Sequence, residues 1–368
     1  MTRRCENYFF VMIKEYDLKP LLLRRNSVFL SMIGIGLGLM LLLSACGSDS
    51  ADADTTVEKA NVSSTQQAAS AAVTPAVATS TPAESVVTGA YYPKTTRDLL
   101  GREITIAASP ERIVALSPSA LEYLYDLGGV ALGRPSSANY PEAAMRVESV
   151  GTSYAPNFES VLRLNPDLII ADSVIQAQPR FLEQFKALPG PVFFAGAASY
   201  NDVLTALEHL GVVLNRNDEA QAEIMRIQAS METAKSVLPS GASAIVLIAD
   251  RDNTFYAAKN TSFAGDVIDK LGVVNPASDL PDAGPFPGFS TASIETLLTW
   301  NPDFIFTITP APEPAPRLST LLPSIPPMRG LNAVRSGSIL ELPLELALQA
   351  PGPRVAQLLK LVSESLAQ

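Results

Sequence analysis

The sequence predicts an α/β protein of two lobes with mainly parallel central sheets, bridged by one long α-helix. Three observations carry that prediction. First, one segment occurs twice. Residues 157–171 read Asn-Phe-Glu-Ser-Val-Leu-Arg-Leu-Asn-Pro-Asp-Leu-Ile-Ile-Ala, and residues 293–307 read Ser-Ile-Glu-Thr-Leu-Leu-Thr-Trp-Asn-Pro-Asp-Phe-Ile-Phe-Thr. Second, short apolar runs alternate with helical patterns around both copies, which favours parallel strands with helices on their faces. Third, Ala220, Ile224, Ile227, Met231, Ala234 and Leu238 recur at helical spacing midway between the copies. Two lobes make a cleft, and a cleft is where small ligands usually bind.

The elements follow in chain order. Residues 1–45 read as a secretory signal of the lipoprotein type. Arg24-Arg25 precede an uncharged run from Val28 to Leu43, and Leu43-Ser44-Ala45 lead into Cys46. The competing reading is an uncleaved membrane anchor, although the run falls short of the ~20 apolar residues that span a bilayer. The stretch before Arg24 is long for such a signal, and Met12 is an alternative start. Residues 46–94 are rich in Ala, Ser, Thr, Val and Pro and read as a disordered tether.

The first lobe is expected over residues 95–216. Arg97–Ile106 reads as a hairpin turning near Gly101. Ile113–Leu116 reads as a strand, and Ser119 with Glu122 as a capping box opening a helix that Gly128-Gly129 end. Val130–Gly133, Leu168–Ala171 and Val192–Phe194 read as strands, with helices around Arg180–Ala187 and Asn201–Leu210. The connecting helix is expected over 217–238, opened by Asp218 and Gln221, and roughly 30 Å long at 1.5 Å per residue. The second lobe, 239–368, restarts with strand Ala244–Ala249. Then come a helix at Ala264–Leu271, the second copy with strand Phe304–Ile308, a Pro-rich loop over 310–327, strand Ile339–Leu342 and helix Arg354–Leu366. Alternation of this kind makes both lobes Rossmann-like.

Charge narrows the partners. Arg3, Arg4, Lys14, Lys19, Arg24 and Arg25 lie before Cys46 with Glu6, Glu15 and Asp17, which leaves 21 basic against 34 acidic residues and a net charge near −13. That balance argues against nucleic acid and against an anionic membrane surface. Removing the signal and acylating Cys46 leaves no thiol for a disulfide or a metal. The single histidine, His209, lies in a helical pattern between Leu207 and Leu210, where a structural role is the expected one, so no resident metal site or cofactor is expected.

The chain resembles the substrate-binding lipoproteins of ABC importers that capture ferric siderophores, haem or cobalamin. The resemblance rests on Asp98-Leu-Leu-Gly101-Arg102, Pro110–Leu116, Gly128, both Asn-Pro-Asp copies, Thr261-Ser262-Phe263, Leu271-Gly272 and Gly352-Pro353-Arg354, in that order over residues 96–368. It implies lipid, palmitate included, on Cys46 and an extracytoplasmic, membrane-anchored monomer. It implies ligand, such as a ferric siderophore, between lobes that move little, and delivery to a permease with its ATPase. It also implies that one glutamate on each lobe docks on permease arginines, and Glu159 and Glu295 occupy those positions. Each has a second explanation. Asn157 and Ser293 can cap their helices, and an acid in the first turn then complements the helix dipole by about 0.3–1 kcal/mol.

Ligands of such folds lie against loops at the carboxyl ends of strands. These loops are Ser117–Ser119, Ser136–Tyr140, Asp172–Gln178 and Gly196–Tyr200 in the first lobe. In the second they are Arg251–Tyr256, Phe286–Phe289, Thr309 and Leu344–Gln349. The ligand candidates are Ser117, Tyr140, Tyr200, Arg251, Tyr256 and Phe286. Arg251 offers a fork of donors to an anionic chelate, or is a solvated loop charge beside Asp250 and Asp252. The aromatics line a groove or pack the loops. The last loop offers Glu345 and apolar groups, so a neutral or zwitterionic hydroxamate or a corrinoid stays open beside an anionic siderophore.

Enzyme chemistry finds little support. No Gly-x-Ser-x-Gly, phosphate loop or His-Glu-x-x-His occurs. Glu159 and Glu295 suggest paired carboxylates, but their equivalent places put them on separate lobes, whereas glycoside hydrolysis needs both beside one bond. A non-transport surface lipoprotein is the remaining alternative.

Overall fold

The protein's structure, a computed structural model, describes residues 91–172, 179–239, 241–250, 252–311 and 313–366. The signal run, Cys46, most of the tether and Arg251 therefore lie outside the described residues. Residues 91–94, placed by sequence at the end of the tether, are tied to the body. The Tyr92 hydroxyl donates to the Val213 carbonyl at 2.8 Å, and Lys94 Nζ donates to Asn215 Oδ1 at 2.8 Å.

Strands β1 (Lys94–Arg97) and β2 (Glu103–Ile106) form the expected antiparallel hairpin. Gly101 turns it at φ +74°, a conformation costly for any residue with a Cβ. Asp98 is buried and accepts from the Leu100 and Arg102 amides and from the Arg102 side chain, so the Asp-Leu-Leu-Gly-Arg motif is a self-stapled turn.

The first-lobe sheet contains β3 (Ile113–Ala115), β4 (Ala131–Arg134), β5 (Glu148–Ser149), β8 (Leu168–Ala171) and β9 (Val192–Phe194). Their order is β5-β4-β3-β8-β9, and all neighbours are parallel. A small hairpin, β6 (Gly151–Thr152) and β7 (Ala155–Pro156), lies between β5 and β8. The lobe's helices are α1 (Pro118–Asp126), α2 (Phe158–Arg163), α3 (Pro179–Lys186) and α4 (Tyr200–Leu214). Helix α1 corrects one reading. Its cap is Ser117, whose hydroxyl accepts from the Ala120 amide, with Pro118 at the first helical position. Proline there loses no hydrogen bond and is preset in φ, so the helix starts earlier than the expected Ser119 capping box.

Helix α5 (Asn217–Ser236) is the long connector. Its start is a second correction. Asp218 lies inside the first turn rather than at the cap, and Arg216 in the cap position accepts no capping bond; its guanidinium instead donates to Glu219 Oε1 at 3.0 Å. The preceding helix runs to Leu214, so only Asn215 and Arg216 separate the two helices. Asn215 makes that reversal in the left-handed conformation at φ +55°.

The second-lobe sheet contains β10 (Ala244–Ala249), β11 (Phe255–Ala258), β12 (Phe289–Ala292), β13 (Phe304–Ile308) and β14 (Ile339–Glu341), in the order β12-β11-β10-β13-β14. Here β10, β13 and β14 are parallel, but β11 and β12 are antiparallel additions that the sequence reading lacked. The helices are α6 (Phe263–Lys270), α7 (Ile294–Trp300), α8 (Leu318–Leu321), α9 (Asn332–Ser336) and α10 (Val355–Leu366). The Pro-rich stretch read as loop holds α8 and 3₁₀ turns at Leu322–Ser324 and Pro326–Gly330. Prolines at the first positions of those turns start them rather than break them.

The two copies build the same unit. Asn165 and Asn301 both adopt the left-handed conformation, at φ +43° and +42°. Both Asp side chains tie the start of their strand to the neighbouring central strand. Asp167 accepts from the Glu111 and Arg112 amides, and Asp303 accepts from the Ser243 amide and hydroxyl, at 2.8–2.9 Å. Strands β3 with β8 and β10 with β13 then pair in parallel.

Each sheet alternates two faces. Val114, Leu116, Ile169 and Phe194 pack in a cluster private to the first lobe, and Ile245, Leu247, Ile305 and Leu297 in one private to the second. The opposite faces share one cluster. Ile113, Leu168 and Phe193 join Val246, Ile248 and Phe306 in it, through Leu207, Leu210, Ile227, Met231, Leu358 and Leu359. Helix α5 packs against both α4 and α10.

Candidate functional site

The helices of the duplicated unit are capped alike. Asn157 accepts from the Ser160 amide and Ser293 from the Thr296 amide, which sets Glu159 and Glu295 at the second helical position of α2 and α7. Both glutamates are exposed. Hydrogen bonds from its own amide and from Ser293 hold the Glu295 carboxyl below the usual range. The caps account for why an acid fits there, and solvent exposure leaves both carboxylates accessible to a partner.

The five ligand candidates among the described residues differ in accessibility. Ser117 is buried, and its hydroxyl is engaged with the helix cap and with Ser119 at 3.1 Å. Tyr200 is buried at the first residue of α4, where its amide donates to Asp266 Oδ2 at 2.7 Å. The structure brings Tyr256 and Phe286 together. Both are buried, with ring centroids 5.3 Å apart in an edge-to-face pair. The Tyr256 hydroxyl donates to Asp250 Oδ2 at 2.8 Å, and burial with that bond pushes its phenol up to about 12. Tyr140, at 37% exposure, is the most accessible of the described candidates.

The turn between β10 and β11 is stapled by Asp250. Partial burial works to raise this carboxyl. Hydrogen bonds from Thr254, Tyr256 and Asp252 win and hold it below its ordinary value. At the carboxyl ends of β3 and β8, the Ser119 hydroxyl donates to Asp172 Oδ2 at 3.2 Å. Thr309, at the end of β13, is buried and accepts from the Leu318 amide. Leu344–Gln349 is largely a π-helical turn whose Leu346 and Ala347 are buried.

Among the described residues, two side-chain hydrogen bonds stand out as crossing from the first-lobe elements to the second. One is Tyr200 to Asp266. The other is Arg354 Nη2 donating to Glu122 Oε1 at 2.6 Å, with both side chains largely buried. The Arg354 guanidinium also lies 4.6 Å from the Tyr140 ring centroid. Burial pushes the Glu122 carboxyl up to about 7, against the pull of Arg354 and with a smaller push from Asp126 and Glu345. Asp126, one turn on, is raised to about 6 by burial and by Glu223, against Arg226 and Arg354.

Sequence reasoning missed this pair as a contact. It took Glu122 as a capping acid and Arg354 as part of a terminal motif. One signal was available, because Glu122 lies in a run of Ala120, Leu121, Tyr123 and Leu124 that must be buried, and a buried acid needs a partner. The partner, 232 residues away, is not readable from spacing.

A family model described as periplasmic binding protein matches residues 113–346. An uncharacterized ABC transporter substrate-binding lipoprotein of Bacillus subtilis, YvrC, is 25% identical over 224 residues, covering 59% of this chain and 69% of that protein. A cobalamin-binding protein of Halobacterium salinarum is 25% identical over 271 residues, covering 72% of each. The crystal structure of the petrobactin-binding protein YclQ from Bacillus subtilis superposes with a TM-score of 0.65 at 20% identity, covering 75% of this chain and 99% of that one.

Proposed function

The chain belongs to the periplasmic binding protein family, and from that premise we propose that it captures a ferric siderophore between its lobes and delivers it to an ABC permease and ATPase. The observation that carries the reading is the duplicated unit. Each lobe offers one exposed glutamate at the same place on an equivalently capped helix. A permease that meets both lobes then needs the same cationic partner twice. The lipoprotein relative supports an extracytoplasmic address with acyl chains on Cys46, and we propose a single copy of the chain at the membrane. The petrobactin-binding neighbour supports a bulky organic chelate as cargo rather than a bare ion. Tyr140 and Arg251 are the side chains we propose at the ligand, with Ser117, Tyr200, Tyr256 and Phe286 shaping the loops behind them. No resident cofactor, and no catalysis, belongs to this reading.

The cobalamin-binding relative favours a corrinoid as the second reading; haem in the same role, a non-transport surface lipoprotein and an enzyme stand behind it. The test separates docking from capture. Reversing charge at both sites, Glu159→Arg with Glu295→Arg, should abolish uptake in whole cells while ligand affinity of the purified protein stays unchanged. Full uptake by that double variant, or loss of affinity in it, would contradict the docking role.

A further inference from the structure

The pair that crosses the seam has an unusual form. Glu122 lies on α1 among apolar neighbours and is 1% exposed. Arg354, directly before α10, is held between this carboxylate and the ring of Tyr140, which also belongs to the first lobe. The backbone around it lies beside α1, where a Cβ on Gly352 would sit in ordinary van der Waals contact, 3.5 Å from Ser119 Cβ and 3.7 Å from Glu122 Oε2. Taking two charges out of water costs several kcal/mol per ion, and the fee is returned only when the hydrogen bonding is complete. Here it is not complete, because Glu122 Oε2 and Arg354 Nε are buried with no hydrogen-bond partner. A contact this expensive and this incompletely bonded contributes geometry more than stability.

We propose that Glu122, Arg354 and Tyr140 form a latch across the seam that fixes the spacing of the two lobes, and with it the width of the groove. The consequence for the groove rests on the capture reading. The latch itself is a property of the two lobes and is testable without ligand.

The charges facing Glu122 are Arg354 from the start of α10, Glu345 from the π-helical turn and Asp126 on its own helix. Asp126 in turn faces Glu223 and Arg226 of α5. Burial outweighs the one cation, so the latched carboxyl holds a proton more firmly than an open, solvated one. Latching therefore takes up a proton, and linkage makes the seam tighter in mild acid and looser as pH rises through neutrality.

Hydrogen exchange of the full chain, read by mass spectrometry at pH 5.5 and 8.5 and corrected for intrinsic rates, tests this. In the wild type, amides of residues 118–126 and 352–358 should exchange at least about tenfold faster at pH 8.5, because a carboxyl held at about 7 against an ordinary 4.5 loses more than one unit of linkage across that window. Glu122→Gln, neutral and of the same shape, should remove that dependence. Tyr140→Leu should speed exchange in the same two segments at both pH values while β8 and β10 stay protected. Wild-type exchange with no pH dependence at the seam would overturn the latch. So would its persistence in Glu122→Gln, or equal acceleration through the central strands, which marks general loosening. If Glu122→Gln does not fold, the wild-type profile and Tyr140→Leu still decide. A seam that behaves as stated in a protein that binds no chelate would leave the latch and remove the capture reading; the reverse pattern would do the opposite.

Discussion

Asn165 and Asn301 are where the duplication is most informative. Each precedes a proline, which disfavours the right-handed helical region, and each takes the left-handed conformation that asparagine tolerates best among residues with a Cβ. Asn301 also accepts from the Asn332 amide at 2.8 Å. Asn301→Ala should cost about 1–3 kcal/mol in urea unfolding, with Asn301→Gly costing less, because glycine keeps the backbone freedom. Equal losses in the two variants would assign the effect to the side-chain bond instead. Gly284 gives a second residue-scale prediction. A Cβ there would lie 2.3 Å from the Tyr256 ring, at φ +101°. Gly284→Ala should therefore displace Tyr256 from Phe286 and lower the melting temperature, and an unchanged melt would contradict the close packing. The caps at Asn157 and Ser293 were legible because capping chemistry is local. The cap at Ser117 was misplaced by two residues because a capping-box pattern competed with a proline signal, and the proline signal won.

At the scale of elements, local pattern was enough for most strands and for α5. It failed for β11 and β12. Phe255–Ala258 and Phe289–Ala292 overlap segments read as the ligand loops Arg251–Tyr256 and Phe286–Phe289, whereas both pair antiparallel at the sheet edge beside β10. Helix α5 was legible from its apolar spacing, and its burial adds a prediction. Ile227 is 0% exposed in the cluster shared by both sheets. Ile227→Ala should cost about 2–5 kcal/mol. Helix α1 supplies a pH prediction. Glu122 and Asp126 have folded values of about 7 and about 6, above the unfolded values of 4.5 and 3.8. A raised carboxyl contributes stability that is present below its unfolded value and is lost as pH rises through its folded one. Their contribution should thus decline between about pH 4 and about 7. Urea midpoints of the wild type compared with Glu122→Gln and Asp126→Asn should show this, with the decline shallower in each variant. A decline of the same slope in both variants would contradict the assignment.

For the whole molecule, the shared apolar cluster means that the lobes are not independent domains. One face of each sheet joins the same core through α4, α5 and α10, so the described body should unfold in one cooperative transition, seen alike by calorimetry and circular dichroism. Two separated transitions would contradict a continuous core. The two-lobed plan was legible because a duplicated sequence leaves a duplicated mark. The contacts across the seam were not, because Glu122 with Arg354 and Tyr200 with Asp266 join residues that only the finished fold brings together. The proposed capture role is tested most directly by titrating the purified full chain with a neutral ferric hydroxamate, a ferric catecholate, ferric citrate, haemin and cyanocobalamin while following thermal unfolding. One ligand class should raise stability by about 2.7 kcal/mol at a hundred times its dissociation constant, and Tyr140→Ala should weaken that effect. A melting curve that none of the five moves would contradict capture of a ferric chelate or corrinoid by this chain.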